Sequence, residues 1–136
     1  MKLDQYANAR ATAALLREGQ RYRRERLQAA DMITVDAAAS LMKVHASVIE
    51  DWIKSGRCIG LVGPHGLVKV PRWQFEPSLW PLILRIGQSL ATQDPWQVLD
   101  FLETSAPALD GLTPRVALEQ GTPVARILAA AVGDSH

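Results

Sequence analysis

Thiol chemistry is almost absent from this chain, whose single cysteine is Cys58. One thiol excludes an internal disulfide framework and fits a reducing compartment, so a cytoplasmic location is expected. Long apolar runs are missing too. Stretches such as residues 82–84 and 127–132 are far too short to span a bilayer, and no membrane partner is expected. No charged start leads into an apolar stretch and a small-residue cleavage site, so no signal peptide is expected. The glycines form no phosphate-cradling loop, and no Ser-His-Asp order has local support. His45, Cys58 and His65 lack the paired spacing of a zinc site. Cys58 itself reads as a small core residue rather than a nucleophile. The expectation is a non-enzymatic protein with no catalytic residue, no cofactor and no metal.

What is present is the composition of a soluble globular protein, 48% hydrophobic and 21% charged over 136 residues. That length allows one ordinary domain or two small units packed together. The net charge of +1 conceals a polarity. Residues 1–30 carry seven Lys/Arg against three Asp/Glu, residues 31–75 five against four, and residues 76–136 three against seven. The two ends are therefore expected to face different partners, with the basic end suited to phosphate.

Residues 3–30 hold no proline and one glycine, Gly19, among strong helix formers. They predict one long helix, or two joined at Gly19. Its few large apolar residues, including Leu15, Leu16 and Leu27, cannot make a core alone. It must lie on the rest of the protein, on a second copy, or on DNA. Thr34 can cap a short helix over residues 35–42, with Ala37, Ala38 and Leu41 facing inward. After a turn at Lys43 and Val44, residues 46–55 place Val48, Ile49, Trp52 and Ile53 at helical spacing, and Gly56 ends the run. The opposite face is polar, with Ser47, Glu50, Asp51 and Lys54. Two short helices joined by a tight turn make a helix-turn-helix. Ile59, Leu61, Val68 and Val70 around residues 63–66 predict a hairpin, which in that position is a wing.

Farther on, Leu79, Leu82, Ile83, Ile86 and Leu90 form an apolar helical stripe. Asp94-Pro95, Thr113-Pro114 and Thr122-Pro123 each place a capping side chain before a proline, predicting helices over 95–103, 114–120 and 123–132. Asp94 and Gln97 predict a capping box. Trp52 and Trp96 are expected to be largely buried. The fold class that follows is mainly α, a helix-turn-helix with a small β-hairpin wing plus a C-terminal helical bundle module. The expected divisions are a basic helix over 1–30, the winged head over 31–75 and a helical partner-binding module over 76–136.

Residues 34–38, 44–53 and 55–57 resemble the winged helix-turn-helix of the MerR and excisionase type. The resemblance implies DNA contacts from Ser47, Glu50 and Lys54 on the second helix, and from Arg57, Lys69 and Arg72 about the wing. Lysines and arginines would hold phosphate, whereas Glu50 could accept from cytosine N4.

The stretch with Trp96, Leu102 and Glu103, then residues 106–114, Ala117, Leu118 and Gly121, resembles the toxin-binding domain of Xre/MbcA/ParS-type antitoxins. Ala108 and Asp110 stand where that family pattern has asparagine and glycine. The resemblance implies a homodimeric repressor that binds operator DNA and occludes a co-encoded toxin, often of the NAD-consuming RES type. Contacts with the toxin would come from the last helix and tail, namely Arg126, Ile127, Val132, Asp134 and His136. The alternative is a DNA-binding or partition-type adaptor with no toxin, using its C-terminal module for self-association or for another protein.

Overall fold

The computed structural model describes the backbone of residues 2–135 and the side chains of residues 7–135. It is mainly helical, with a small three-stranded antiparallel sheet. Helix α1 (Lys2–Leu27) runs unbroken through Gly19, so the single long helix is the form adopted. Strand β1 (Met32–Thr34) leads into α2 (Val35–Met42) and α3 (Ala46–Lys54). The hairpin follows as β2 (Leu61–Val62) and β3 (Val68–Pro71). Helices α4 (Ile83–Leu90), α5 (Pro95–Glu103), α6 (Pro114–Glu119) and α7 (Val124–Asp134) complete the chain.

Local chemistry sets most boundaries. Thr34 Oγ1 accepts from Ala37 N at 3.0 Å, and Lys43 at φ 58° closes α2 in the left-handed region. Asp94 Oδ1 accepts from Trp96 N, and Thr113 Oγ1 accepts from Val116 N, as the capping pattern predicts. Two capping expectations need correction. The amide of Asp94 donates to Thr92 Oγ1 at 3.0 Å, so Thr92 takes the role expected of Gln97, which is exposed. Thr122 caps nothing: its amide donates to Ala117 O at the end of α6, and Pro123 occupies the cap position of α7. After α5, Asp110 at φ 60° and Gly111 at φ 80° make consecutive left-handed turns that bring the chain round to α6.

Strand β1 escaped the sequence reading because three residues carry too little alternation to register. It decides the architecture. β3 lies between β1 and β2, with Ile33 opposite Val70, Met32 opposite Pro71 and Leu61 opposite Lys69. Alternate residues point to opposite faces. One face presents Val70 and Ile33 to the helix-turn-helix core of Ala38, Ala39, Ile49 and Cys58. The other presents Met32 and Leu61 to a larger core that includes Leu27, Ile83, Ile86, Leu102 and Ile127. The sheet is thus a wall shared by two cores.

Three further devices hold the halves together. Gln74, fully buried, accepts from Ile59 N at 2.7 Å and donates to Ile59 O at 2.9 Å, imitating a strand pair with its side chain. Trp80 packs against both cores, meeting Trp52 edge to face at 5.1 Å and Phe75 at 5.0 Å. Arg26 forks between Asp31 and Glu103, and Trp73 Nε1 donates to Asp31 Oδ2 at 2.8 Å. Gly60 also matters, since a Cβ there would lie 2.6 Å from Ile53 Cδ1.

The tryptophan expectation is corrected as well. Trp52 and Trp96 are only half-buried, whereas Trp73 is 6% exposed. Trp52 meets Trp80 edge to face, and the Arg23 guanidinium lies 5.0 Å over the Trp96 ring.

Candidate DNA-facing and partner-facing surfaces

Helix α3 is fixed from one side only. Ile49 is fully buried, and Trp52 and Ile53 pack against the same core. Ser47, Glu50, Asp51 and Lys54 are exposed. The i, i+3, i+7 spacing of Ser47, Glu50 and Lys54 lines them along one stripe. Arg57 follows in the next turn, also exposed. Among the described residues none of these side chains has an ion-pair or hydrogen-bond partner, so the stripe is open to a ligand. Chemically it offers a hydroxyl, a carboxylate acceptor and a cation, with Asp51 beside them.

The wing residues separate from this stripe. Lys69 is half-buried and lies across from Leu61 and Thr34, on the sheet face turned away from the helix-turn-helix. The two-residue repeat of a strand imposes this, because Val70 must face Ile49 and its neighbours. Arg72 is exposed just beyond β3, its amide donating to Asp31 O at 2.8 Å. The structure therefore lines up Ser47, Glu50 and Lys54, places Arg57 three residues beyond the end of α3, and keeps Lys69 on a different face.

A basic ridge lies elsewhere. Arg10, Arg17, Arg21 and Arg24 project from one side of α1, at i, i+7, i+11 and i+14, and all are exposed. The opposite side of the same helix carries Arg26 and Leu27 onto the body.

The last helix divides as its periodicity demands. Ile127 and Ala131 are fully buried, so Ile127 faces the core and is not a partner-binding residue. Val132 is 53% exposed, and Asp134 is exposed. Arg126 is exposed, with Nη2 donating to Ala108 O at 2.9 Å and lying 3.7 Å from Asp110 Oδ2. His136 lies outside the described residues.

A groove of about 600 Å³ runs between α5, the following loop and α7, lined by Phe101, Ala106, Ala130 and Gly133 together with Asp100, Asp134 and Arg126. Its small apolar residues suit an apolar segment, and its two carboxylates outnumber the one guanidinium beside them. Sequence reasoning missed it because α5 and α7 meet only through tertiary packing. A second cleft, about 760 Å³, lies between the end of α3 and α4, lined by Ile53, Ile59, Leu84 and Gly87 among others.

Among the described residues, no three His, Cys, Asp or Glu side chains come together to hold a metal ion. Burial pushes the Cys58 thiol up to about 12. Among the described residues, no helix is long and apolar enough to cross a membrane. Comparison with protein-family models, with curated proteins and with solved structures finds no match for this chain.

Proposed function

We propose that this chain is a non-catalytic, cytoplasmic DNA-binding repressor whose C-terminal helices bind and neutralise a co-encoded toxin. The observation that carries the DNA half is the stripe of Ser47, Glu50 and Lys54, exposed and unengaged on a helix whose other side is locked into a helix-turn-helix core. A short helix anchored in this way can enter a major groove without rearrangement. Glu50 and Asp51 repel phosphate, so backbone contacts fall to Lys54, Arg57 and the α1 ridge.

The partner half rests on the groove between α5 and α7 and on the exposed outer side of α7. Arg126, Val132 and Asp134 are accessible there, and the acidic balance of residues 76–136 favours a basic partner surface. The resemblance to Xre/MbcA/ParS-type antitoxins supports a toxin, of the RES class, as that partner.

Two measurements test the reading. The protein should retard its own upstream promoter fragment, and retention should weaken steeply with salt. Lys54→Ala or Arg57→Ala should weaken binding to all sequences alike, whereas Ser47→Ala or Glu50→Gln should alter preference among sites. Co-expression with the neighbouring gene's product should relieve its toxicity. No retardation at low salt removes the DNA half. A harmless neighbour removes the toxin, leaving an adaptor that uses its C-terminal module for another protein.

A further inference from the structure

The wing does not stand free. Its tip leans on α1, so closely that a Cβ built on Gly63 would lie 3.1 Å from Leu27 Cδ1. Between wing and helix runs an open groove of about 280 Å³, lined by Gln20, Arg23, Arg24, Val62, Pro64 and Trp96 among others. Small-molecule pockets usually hold about 300–1,000 Å³, so the groove suits the edge of a larger contact better than a compact ligand. Among the described residues that line it there is no carboxylate.

The groove opens onto the arginine ridge. Arg24 belongs to both, and Arg17, Arg21 and Arg24 stand at i, i+4 and i+7 on one helical face. All three are exposed, and among the described residues none has an ion-pair or hydrogen-bond partner. Helical spacing puts Glu18 and Glu25 on the flank of α1 away from the wing. The three guanidiniums span about 10 Å along the axis, the rise of about three phosphates on one strand of a duplex.

We infer that α1 and the wing tip together clamp the phosphate backbone of duplex DNA, without regard to sequence, beside the segment that α3 reads. Arg17, Arg21 and Arg24 take successive phosphates, Gln20 donates beside them, and the turn at Pro64 bounds the other side. Phosphate binding by the wing thus passes from Lys69, on the sheet face turned away from the helix-turn-helix, to the tip and the helix behind it. A bilayer is a poor occupant. Leu15 and Leu16 are the only large apolar side chains from Ala7 to Gln20, too few for the apolar face of an interfacial helix. An acidic protein surface would match the sign of the ridge but has no regular charge spacing to match its repeat. The choice of DNA among polyanions rests on the reading of α3 as a DNA-facing helix, and the experiment separates the two.

Fluorescence anisotropy of the full chain is followed across a salt series on two labelled duplexes, its own promoter fragment and a shuffled one of equal length. The triple variant Arg17→Ala, Arg21→Ala, Arg24→Ala should flatten the slope of log affinity against log salt by about 2–3 on both duplexes, at about 0.9 per lost phosphate contact. Its preference for the promoter and its thermal melting should match wild type. Gln20→Glu sets a carboxylate in the groove and should weaken both duplexes alike. Thr12→Glu, the same charge change on the side of α1 opposite the ridge, should weaken them less. A triple variant with the wild-type slope overturns the clamp, as does equal weakening by Gln20→Glu and Thr12→Glu. Polyglutamate that competes as well as the shuffled duplex overturns it in favour of an acidic protein. Loss of promoter preference with the slope change intact removes the reading of α3 alone, and binding to neither duplex removes both.

Discussion

Arg26 and Glu103, 77 positions apart, are joined by two hydrogen bonds of 3.0 and 2.8 Å that tie the end of α1 to the end of α5. The same guanidinium holds Asp31 at 2.7 and 2.6 Å, and Asp31 accepts from Trp73. One side chain thus connects the basic helix, the entrance to the sheet and the C-terminal helices. Arg26 is 13% exposed, whereas Asp31 and Glu103 are 31% and 24% exposed, so the network is only partly shielded from water.

Replacing Arg26 by alanine leaves two carboxylates near one another without their shared cation. A loss of about 1–3 kcal/mol is expected, between what exposed and fully buried ion pairs cost, because both carboxylates stay partly solvated. Arg26→Lys should recover only part of it, because lysine lacks the fork that serves both carboxylates. Urea denaturation of the two variants checks this, and equal stability of Arg26→Ala and wild type would sink it.

Stability should fall in acid in a way that depends on Asp31. Its carboxyl is held below the usual carboxylate range, first by the Arg26 hydrogen bonds, with the Trp73 N–H adding and burial opposing. A carboxyl depressed in the folded state contributes fully above its unfolded value, about pH 4. That contribution is lost as pH falls through the folded value. Asp31→Asn should be less stable than wild type at pH 7, with the difference narrowing below about pH 4. A constant difference from pH 7 to pH 2 would contradict the assignment.

Gln74 is predicted to be irreplaceable by a residue of similar size. Gln74→Leu orphans the amide and carbonyl of Ile59, both buried, at a cost of about 2 kcal/mol. Gln74→Glu restores only an acceptor and should be no better at neutral pH. Thermal melting distinguishes these from an ordinary surface change, which would lie within about 0.5 kcal/mol.

Two positions on α7 should behave oppositely. Ile127→Ala removes a fully buried side chain and should cost about 2–5 kcal/mol. Val132→Ala, on the exposed side, should change stability by less than about 0.5 kcal/mol. Should the proposed partner be bound, Val132→Glu weakens that binding while the melting temperature stays constant. A stable Ile127→Ala chain would mean that α7 is not docked as described.

Cys58 should resist thiol reagents at neutral pH, because burial holds the thiol protonated. Maleimide labelling in native buffer should be slow and should become rapid in urea. Fast native labelling would show that the core around Ile49 and Val70 opens.

The sequence by itself determined the elements whose signals are local. Thr34, Asp94 and Thr113 announce helix starts through a side chain that reaches an amide two or three positions on. The exposed stripe of Ser47, Glu50 and Lys54 was legible because helical spacing separates it from Ile49 within about two turns. Tertiary structure decided what depends on partners distant along the chain. Strand β1 is too short to be seen until β3 pairs with it, and that pairing sends Val70 to one core and Lys69 to the opposite face. Ile127 and Val132 both read as outward candidates until packing against the rest of the bundle buried the first and left the second in water. Side-chain alternation along a strand or helix sets which residues share a face. Only the long-range contacts decide which face is covered.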